Sequence, residues 1–153
     1  NYGPWQYPEK LIPTVILNAL SNKNIPLYGA GKNIRDWLYV DDHIDALLLA
    51  AIIGKVGKKY CVGGNQEKSN KELVIEICTN MDKILKKDFL HKKLIKHVED
   101  RPGHDFRYAI NSSLIMDDLG WEPKTDFNIG LKNTIIWYIN NEEWCLKNLR
   151  NKI

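Results

Sequence analysis

Cysteine is scarce in this chain. Only Cys61, Cys78 and Cys145 occur, far apart and never as Cys-x-x-Cys, which argues against a disulfide framework or a thiolate zinc site and for a reduced, cytoplasmic protein. Long apolar runs are lacking too: none approaches the roughly 20 residues of a membrane-spanning helix, so no membrane is expected. Nor does one sign of charge dominate. Twenty-two Lys and Arg stand against 19 Asp and Glu, a net of +3, too mild to imply nucleic acid. The signatures of several chemistries are absent: there is no Gly-x-x-Gly-x-x-Gly or Gly-x-Gly-x-x-Gly after a strand, no Walker loop, no His-Glu-x-x-His and no Gly-x-Ser-x-Gly. With no repeat, low-complexity tract or Ser/Gly linker, residues 1–153 read as one domain. The chain starts at Asn1 without an initiator Met or a signal-like segment, and the expectation is a piece of something longer.

What is present is globular: 44% hydrophobic, 27% charged, with five Trp and seven Tyr, enough at this length to bury a core. LIPTVILNAL, residues 11–20, has helical apolar spacing, with Pro13 tolerable in its first turn. IPLY, residues 25–28, reads as an edge strand before a glycine turn. DWLYV, residues 36–40, reads as a strand, and Asp41 or Asp42 as the cap of a helix through IDALLLAAI. That helix is apolar on nearly all sides and should be buried between layers. KYCV, residues 59–62, reads as a strand ending in Gly63-Gly64, and Ser69 or Asn70 caps the helix KELVIEICTNMDKIL. Strand, glycines and capped helix are α/β grammar. The basic run KILKKDFLHKKLIKH, residues 83–97, reads as the solvated face of a helix. Ser112 or Ser113 caps a short helix ending near Gly120, residues 127–141 form a last amphipathic helix, and the terminal WCLKNLRNKI docks through Trp144 and Leu146 or frays.

Four stretches could carry chemistry. In YGPWQYPEKLIP, Lys10 at a helix N-terminus could hold an anion; the alternative is a Pro-rich connector. Arg35, between a glycine turn and a strand, could reach a phosphate bidentately or pair with Asp36 or Asp41 on the surface. Tyr28 and Lys32 spell a Tyr-x-x-x-Lys, a catalytic pair only on a helix, which the intervening glycines make improbable. Asn70 follows the strand and glycine bend, where open α/β sheets bind ligands, or is a plain cap. In EDRPGHDFRYAI, residues 99–110, the Pro102-Gly103 turn brings Arg101 and His104 onto one rim beside Arg107 and Tyr108. Arginine suits a diphosphate; the alternative is an ion-pair loop neutralised by Asp100 and Asp105. Tyr108-Ala109-Ile110 reads as the start of an ordered apolar element.

NYGPWQYPEKLIP, PLYGAGKNIRDWLYVDDH, VGGNQEKSN, EDRPGHDFRYAI and LGWEPKTDFNIGLKNTIIWY together resemble, in order and over almost the whole chain, the dTDP-glucose 4,6-dehydratases among the extended short-chain dehydrogenases/reductases. The resemblance implies an α/β fold: the C-terminal substrate-binding lobe of such an enzyme plus the last strand and helix of its Rossmann sheet. It further implies that the NAD-binding Rossmann domain and all catalytic residues lie upstream of Asn1, leaving this chain inactive alone and its IDALLLAAI and KYCV surfaces uncovered. By the same resemblance Lys10 and Leu11 meet the nucleotide of dTDP or dTDP-glucose, and Pro26 and Tyr28 flank the thymine. Arg35 and Arg101 bind the diphosphate, and Asn70, Asp100 and His104 complete the cradle. Asn1 lies near the nicotinamide of NAD, with Trp5 and Tyr7 near the sugar. No metal is implied, and the intact protein is expected to be a homodimer. A non-catalytic nucleotide-sugar binding module, a related dehydratase or epimerase, and a basic RNA scaffold are the other readings.

Overall fold

Ile12, Val15, Ile16 and Ala19 recur at helical spacing and are buried almost completely, so the segment folds as a helix with one face in the core. The computed structural model describes residues 1–86 and 88–150. In chain order the elements are α1 (Leu11–Leu20), β1 (Ile25–Tyr28), β2 (Ile34–Asp36), α2 (Val40–Ile53), β3 (Glu67–Ser69), α3 (Asn70–Leu85), a 3-10 turn (His91–Leu94), β4 (Ile95–Val98), β5 (Arg107–Tyr108), α4 (Ser113–Leu119), α5 (Phe127–Asn140) and α6 (Glu142–Arg150). Helices α1, α3 and α5 pack on one another around Val15, Ile16, Leu73, Ile77, Leu131 and Ile135. Pro13 falls in the first turn of α1, where a missing N–H breaks no helical bond.

Two small sheets flank this core. β1 pairs in parallel with β4, Ile25 opposite Ile95 and Tyr28 opposite Val98. β2 sits between antiparallel β3 and parallel β5. Beyond β2, Tyr39 makes a parallel bridge with Tyr2, tying the first residues of the chain to Trp37–Val40. Ser69 begins α3 with a capping box: its hydroxyl accepts the Glu72 N–H and the Glu72 carboxylate accepts the Ser69 N–H. Ser112 precedes α4 without a side-chain cap, Gly120 closes that helix, and Asp126 caps α5. Among the described residues no helix is long and apolar enough to cross a membrane.

Several expectations are corrected. The strand read at residues 36–40 lies earlier: β2 runs from Ile34 to Asp36, and α2 begins at Val40. Neither Asp41 nor Asp42 caps α2. Tyr39 holds the N-cap without a side-chain bond, because Asp42 is buried and its carboxylate accepts the N–H groups of Lys124 and Thr125 at 3.2 and 3.0 Å. α2 is not buried between layers: Leu47, Leu48, Ile52 and Ile53 are all more than half exposed. Lys59–Val62 makes no strand: among the described residues it pairs with no segment of either sheet. The basic run is not one helix: α3 ends at Leu85 with Lys86 left-handed, and the chain resumes as the 3-10 turn and β4. Lys87 lies outside the described residues. The element expected at Tyr108–Ile110 is only two-residue β5, with Tyr108 and Ile110 exposed. α6 docks through Trp144 and the fully buried Cys145 rather than Leu146, which is 39% exposed. Residues 151–153 of the terminal stretch lie outside the described residues.

Candidate functional site

Alternation along β1 sends Ile25 and Leu27 into the core and leaves Pro26 and Tyr28 on the other face. That face forms one wall of a cavity of about 520 Å³. Lys10 and Leu11, at the start of α1, and Asn70, first residue of α3, contribute from two helix N-termini, while Arg35 comes from β2 and Arg101 and His104 from the turn after β4. Asn1 lines the same space. Apart from Trp5 and Tyr7, every residue expected near a ligand is therefore brought together except Asp100. That carboxylate stands behind the wall, accepting from the His104 ring at 2.6 Å and from the Arg101 N–H at 2.8 Å. Those two bonds, the His104 bond first, hold the Asp100 carboxyl below its ordinary range.

The alternatives left open for the arginines separate here. Arg35 makes no ion pair with Asp36 or Asp41: its Nη1 donates to Ile34 O at 2.7 Å and its Nη2 to Asp105 O at 3.0 Å, while the guanidinium lies 5.1 Å from the Tyr108 ring. Asp36 is engaged elsewhere, accepting the N–H groups of Gly64 and Gln66 at 2.9 and 2.7 Å. Gly64 is required there, because a Cβ would stand 2.1 Å from Trp37 O. Arg101 lies 5.3 Å from the Tyr28 ring, and among the described residues neither Arg35 nor Arg101 has a carboxylate partner. The ion-pair role falls to Arg107, gripped by Glu67 at 2.7 and 2.6 Å, and Arg107 does not line the cavity. Gly103, at φ 67, supplies the left-handed residue that turns His104 back beside Arg101. Tyr28 and Lys32 flank a turn, Gly31 N–H donating to Tyr28 O at 2.9 Å, so no helical pair exists.

Trp5 and Tyr7, expected near the sugar, stand outside the cavity. Trp5 packs its ring 4.9 Å from Trp137 and 5.1 Å from Trp144, and the Tyr7 hydroxyl donates to Asn148 O at 3.0 Å. They brace the first loop against α5 and α6. Gln6, Glu9, Thr14, Val15, Asp36 and Trp37 also line the cavity and were not anticipated. Thr14 and Val15 follow Lys10 and Leu11 by one helical turn, and Trp37 follows Arg35 at strand spacing, so those three carried a readable signal; Gln6 carried none. A second depression of about 470 Å³, near Lys32, Lys71 and His97, gathers none of the expected residues.

Two cations without carboxylate partners, an aromatic ring and two helix N-termini around one cavity can hold a diphosphate and a flat base. Toward NAD the fit fails for these residues alone. Asn1 lines the cavity, its carbonyl accepting from Gln6 Nε2 at 2.7 Å, but the chain has no glycine-rich turn of the dinucleotide-binding kind between a strand and a helix.

The family described as GDP-mannose 4,6 dehydratase matches residues 1–134. The dTDP-glucose 4,6-dehydratase of Shigella flexneri is 49% identical over 144 residues, which cover 94% of this chain and 40% of that protein. The crystal structure of a dTDP-glucose 4,6-dehydratase from Bacillus anthracis in complex with NAD matches with a TM-score of 0.84 at 48% identity, covering 97% of this chain and 45% of that one. A dTDP-glucose 4,6-dehydratase from Streptomyces venezuelae, also with NAD bound, matches with a TM-score of 0.86 at 38% identity, covering 97% and 44%. The architecture is thus the α/β lobe of the extended short-chain dehydratases and epimerases. The chain belongs to the GDP-mannose 4,6 dehydratase family. It spans about two fifths of the length of the relatives it matches.

Proposed function

We propose that the whole protein is a dTDP-glucose 4,6-dehydratase and that residues 1–153 are its C-terminal, nucleotide-sugar-binding domain. The observation that carries this reading is convergence: residues as far apart in sequence as Asn1, Pro26, Arg35, Asn70 and His104 line one cavity. In this reading Lys10 and Leu11 meet the nucleotide, and the base lies between Pro26 and Tyr28. Arg35 and Arg101 clamp the diphosphate, with Asn70 and His104 completing the cradle and Asp100 holding the His104 ring in place. In the whole protein Asn1 would face NAD held mainly by the remainder of the chain, and that cofactor would supply reversible hydride transfer for a reaction whose net result is loss of water from the sugar. The residues of this chain supply position. Binding energy from the remote nucleotide helps fix the hexose against the reacting groups and so offsets the cost of orienting it. A cytoplasmic homodimer is the form proposed for the whole protein.

Calorimetric titration of dTDP into the chain tests the reading. Saturable binding that survives moderate salt, without formation of a 4-keto-6-deoxyglucose nucleotide from dTDP-glucose, is the expected outcome. No binding would overturn the site, turnover would overturn the division of labour, and affinity for RNA falling steeply with salt would favour a nucleic-acid scaffold instead.

A further inference from the structure

Buried polar atoms are almost always hydrogen-bonded, and an orphan is expensive to leave. Among the described residues, the buried side-chain atoms without a partner in the protein are Gln6 Oε1, Trp37 Nε1, Asn70 Oδ1 and His91 Nε2. His91 belongs to the 3-10 turn, its Nδ1 bonded to Asp82 Oδ1 at 2.5 Å. The other three residues line the cavity that holds Arg35 and Arg101. Asn70 already has a role in the cradle; Gln6 and Trp37 have none.

Their chemistry is defined. Gln6 Nε2 faces the Asn1 carbonyl at 2.7 Å, and a carbonyl can only accept, so the atom left over is the acceptor Oε1. Trp37 Nε1–H can only donate. Their position is defined as well. Trp37 stands two residues beyond Arg35, just past the end of β2, and both line the cavity. The chain then runs beside Tyr2, whose N–H donates to Leu38 O at 2.9 Å, which brings Trp37 toward Asn1. Gln6 is bonded to Asn1 directly. Both orphans thus lie on the Asn1 side of the arginine clamp.

An acceptor and a donor together match a hydroxyl group, which gives one hydrogen bond and takes another. Phosphate oxygens only accept, and an apolar face does neither. We infer that Gln6 and Trp37 read hydroxyl groups of the hexose carried beyond the diphosphate, and so set the preference for a glycosylated nucleotide over the bare one. Both roles rest on the nucleotide-sugar reading above. Both atoms are buried in this structure, so an occupant meets them only once the side chains turn toward the cavity that both residues line, a change the broad terminal torsion of glutamine permits at Gln6.

Titrating dTDP and dTDP-glucose separately into the wild-type chain, Gln6→Leu and Trp37→Phe, with a thermal melt of each, tests the inference. Each substitution is expected to weaken dTDP-glucose by about 3- to 30-fold while changing dTDP by less than about twofold. Equal losses for both ligands, or no loss for either, overturn it. So does a wild-type chain that binds the two ligands equally, in which case the nucleotide site itself stands. A wild-type chain that binds neither ligand overturns the nucleotide reading first and this inference with it. Should Trp37→Phe lower the melting temperature by disturbing the contact with Tyr2, Gln6→Leu, in the first loop, decides alone.

Discussion

Arg101 stands on the turn after β4 with its guanidinium over the Tyr28 ring and, among the described residues, no carboxylate in a direct ion pair with it. Arg101→Ala should therefore remove a charge-assisted contact worth about 1.5 to 3 kcal/mol, weakening dTDP about tenfold to a hundredfold in a calorimetric titration. Arg101→Lys should recover only part of the loss, because a point charge cannot reproduce the planar fork. Thermal stability should hardly change in either variant, since the side chain is exposed and outside the core. Full rescue by lysine, or unchanged affinity in the alanine variant, would remove Arg101 from the clamp. This residue was readable beforehand because a Pro-Gly turn dictates which neighbours meet. Gln6 was not. Its significance comes from the Asn1 carbonyl that holds its amide, and no local pattern announces such a contact.

At the scale of elements, what could be read was what local chemistry decides. The start of α3 is such a case: a serine three residues before a glutamate satisfies two helix N–H groups wherever the helix ends up. Ser69→Ala should cost about 1 kcal/mol, measured by urea denaturation near neutral pH. The Ser69 hydroxyl first, and then its backbone N–H, hold the Glu72 carboxyl below its ordinary value of 4.5. A carboxyl with a lowered folded pKa contributes stability above its unfolded value and loses it as pH falls through the folded one. The difference between wild type and Ser69→Ala should therefore shrink in acid below the ordinary glutamate range; a gap that widened there would contradict the capping box. Elements that depend on distant partners were misread. Asp42 looked like a cap because of its place before an apolar helix, yet it serves backbone groups at Lys124 and Thr125. KYCV has the composition of a strand, but a strand exists only where a neighbour lines up with it, and composition carries no information about neighbours.

For the whole molecule, the uncovered flank of α2 is a feature that the apolar composition alone misread as buried and that the family resemblance implied would be open. Leu47, Leu48, Ile52 and Ile53 lie along it, more than half exposed. As the C-terminal domain proposed above, the chain would rest this face on the remainder of the protein. Alone, it should self-associate and bind a hydrophobic dye. Replacing Leu47 and Ile52 by lysine should reduce both, read by sedimentation and dye fluorescence; a monomeric wild-type chain that binds no dye would contradict the expectation. The parallel pairing of β1 with β4 has a consequence for time rather than for affinity. Ile25 meets Ile95 only after the intervening β2, α2, β3 and α3 have been gathered in, a closure that is slow because its entropy is lost before any contact repays it. Tyr28 ends one of these strands, and Arg101 and His104 follow the other, so the clamp is complete only once this long-range pairing has closed. A nucleotide that grips only the finished site should act as a brake on unfolding and leave the refolding rate nearly untouched, a signature that stopped-flow traces with and without dTDP would show as a shift in one arm of the chevron alone.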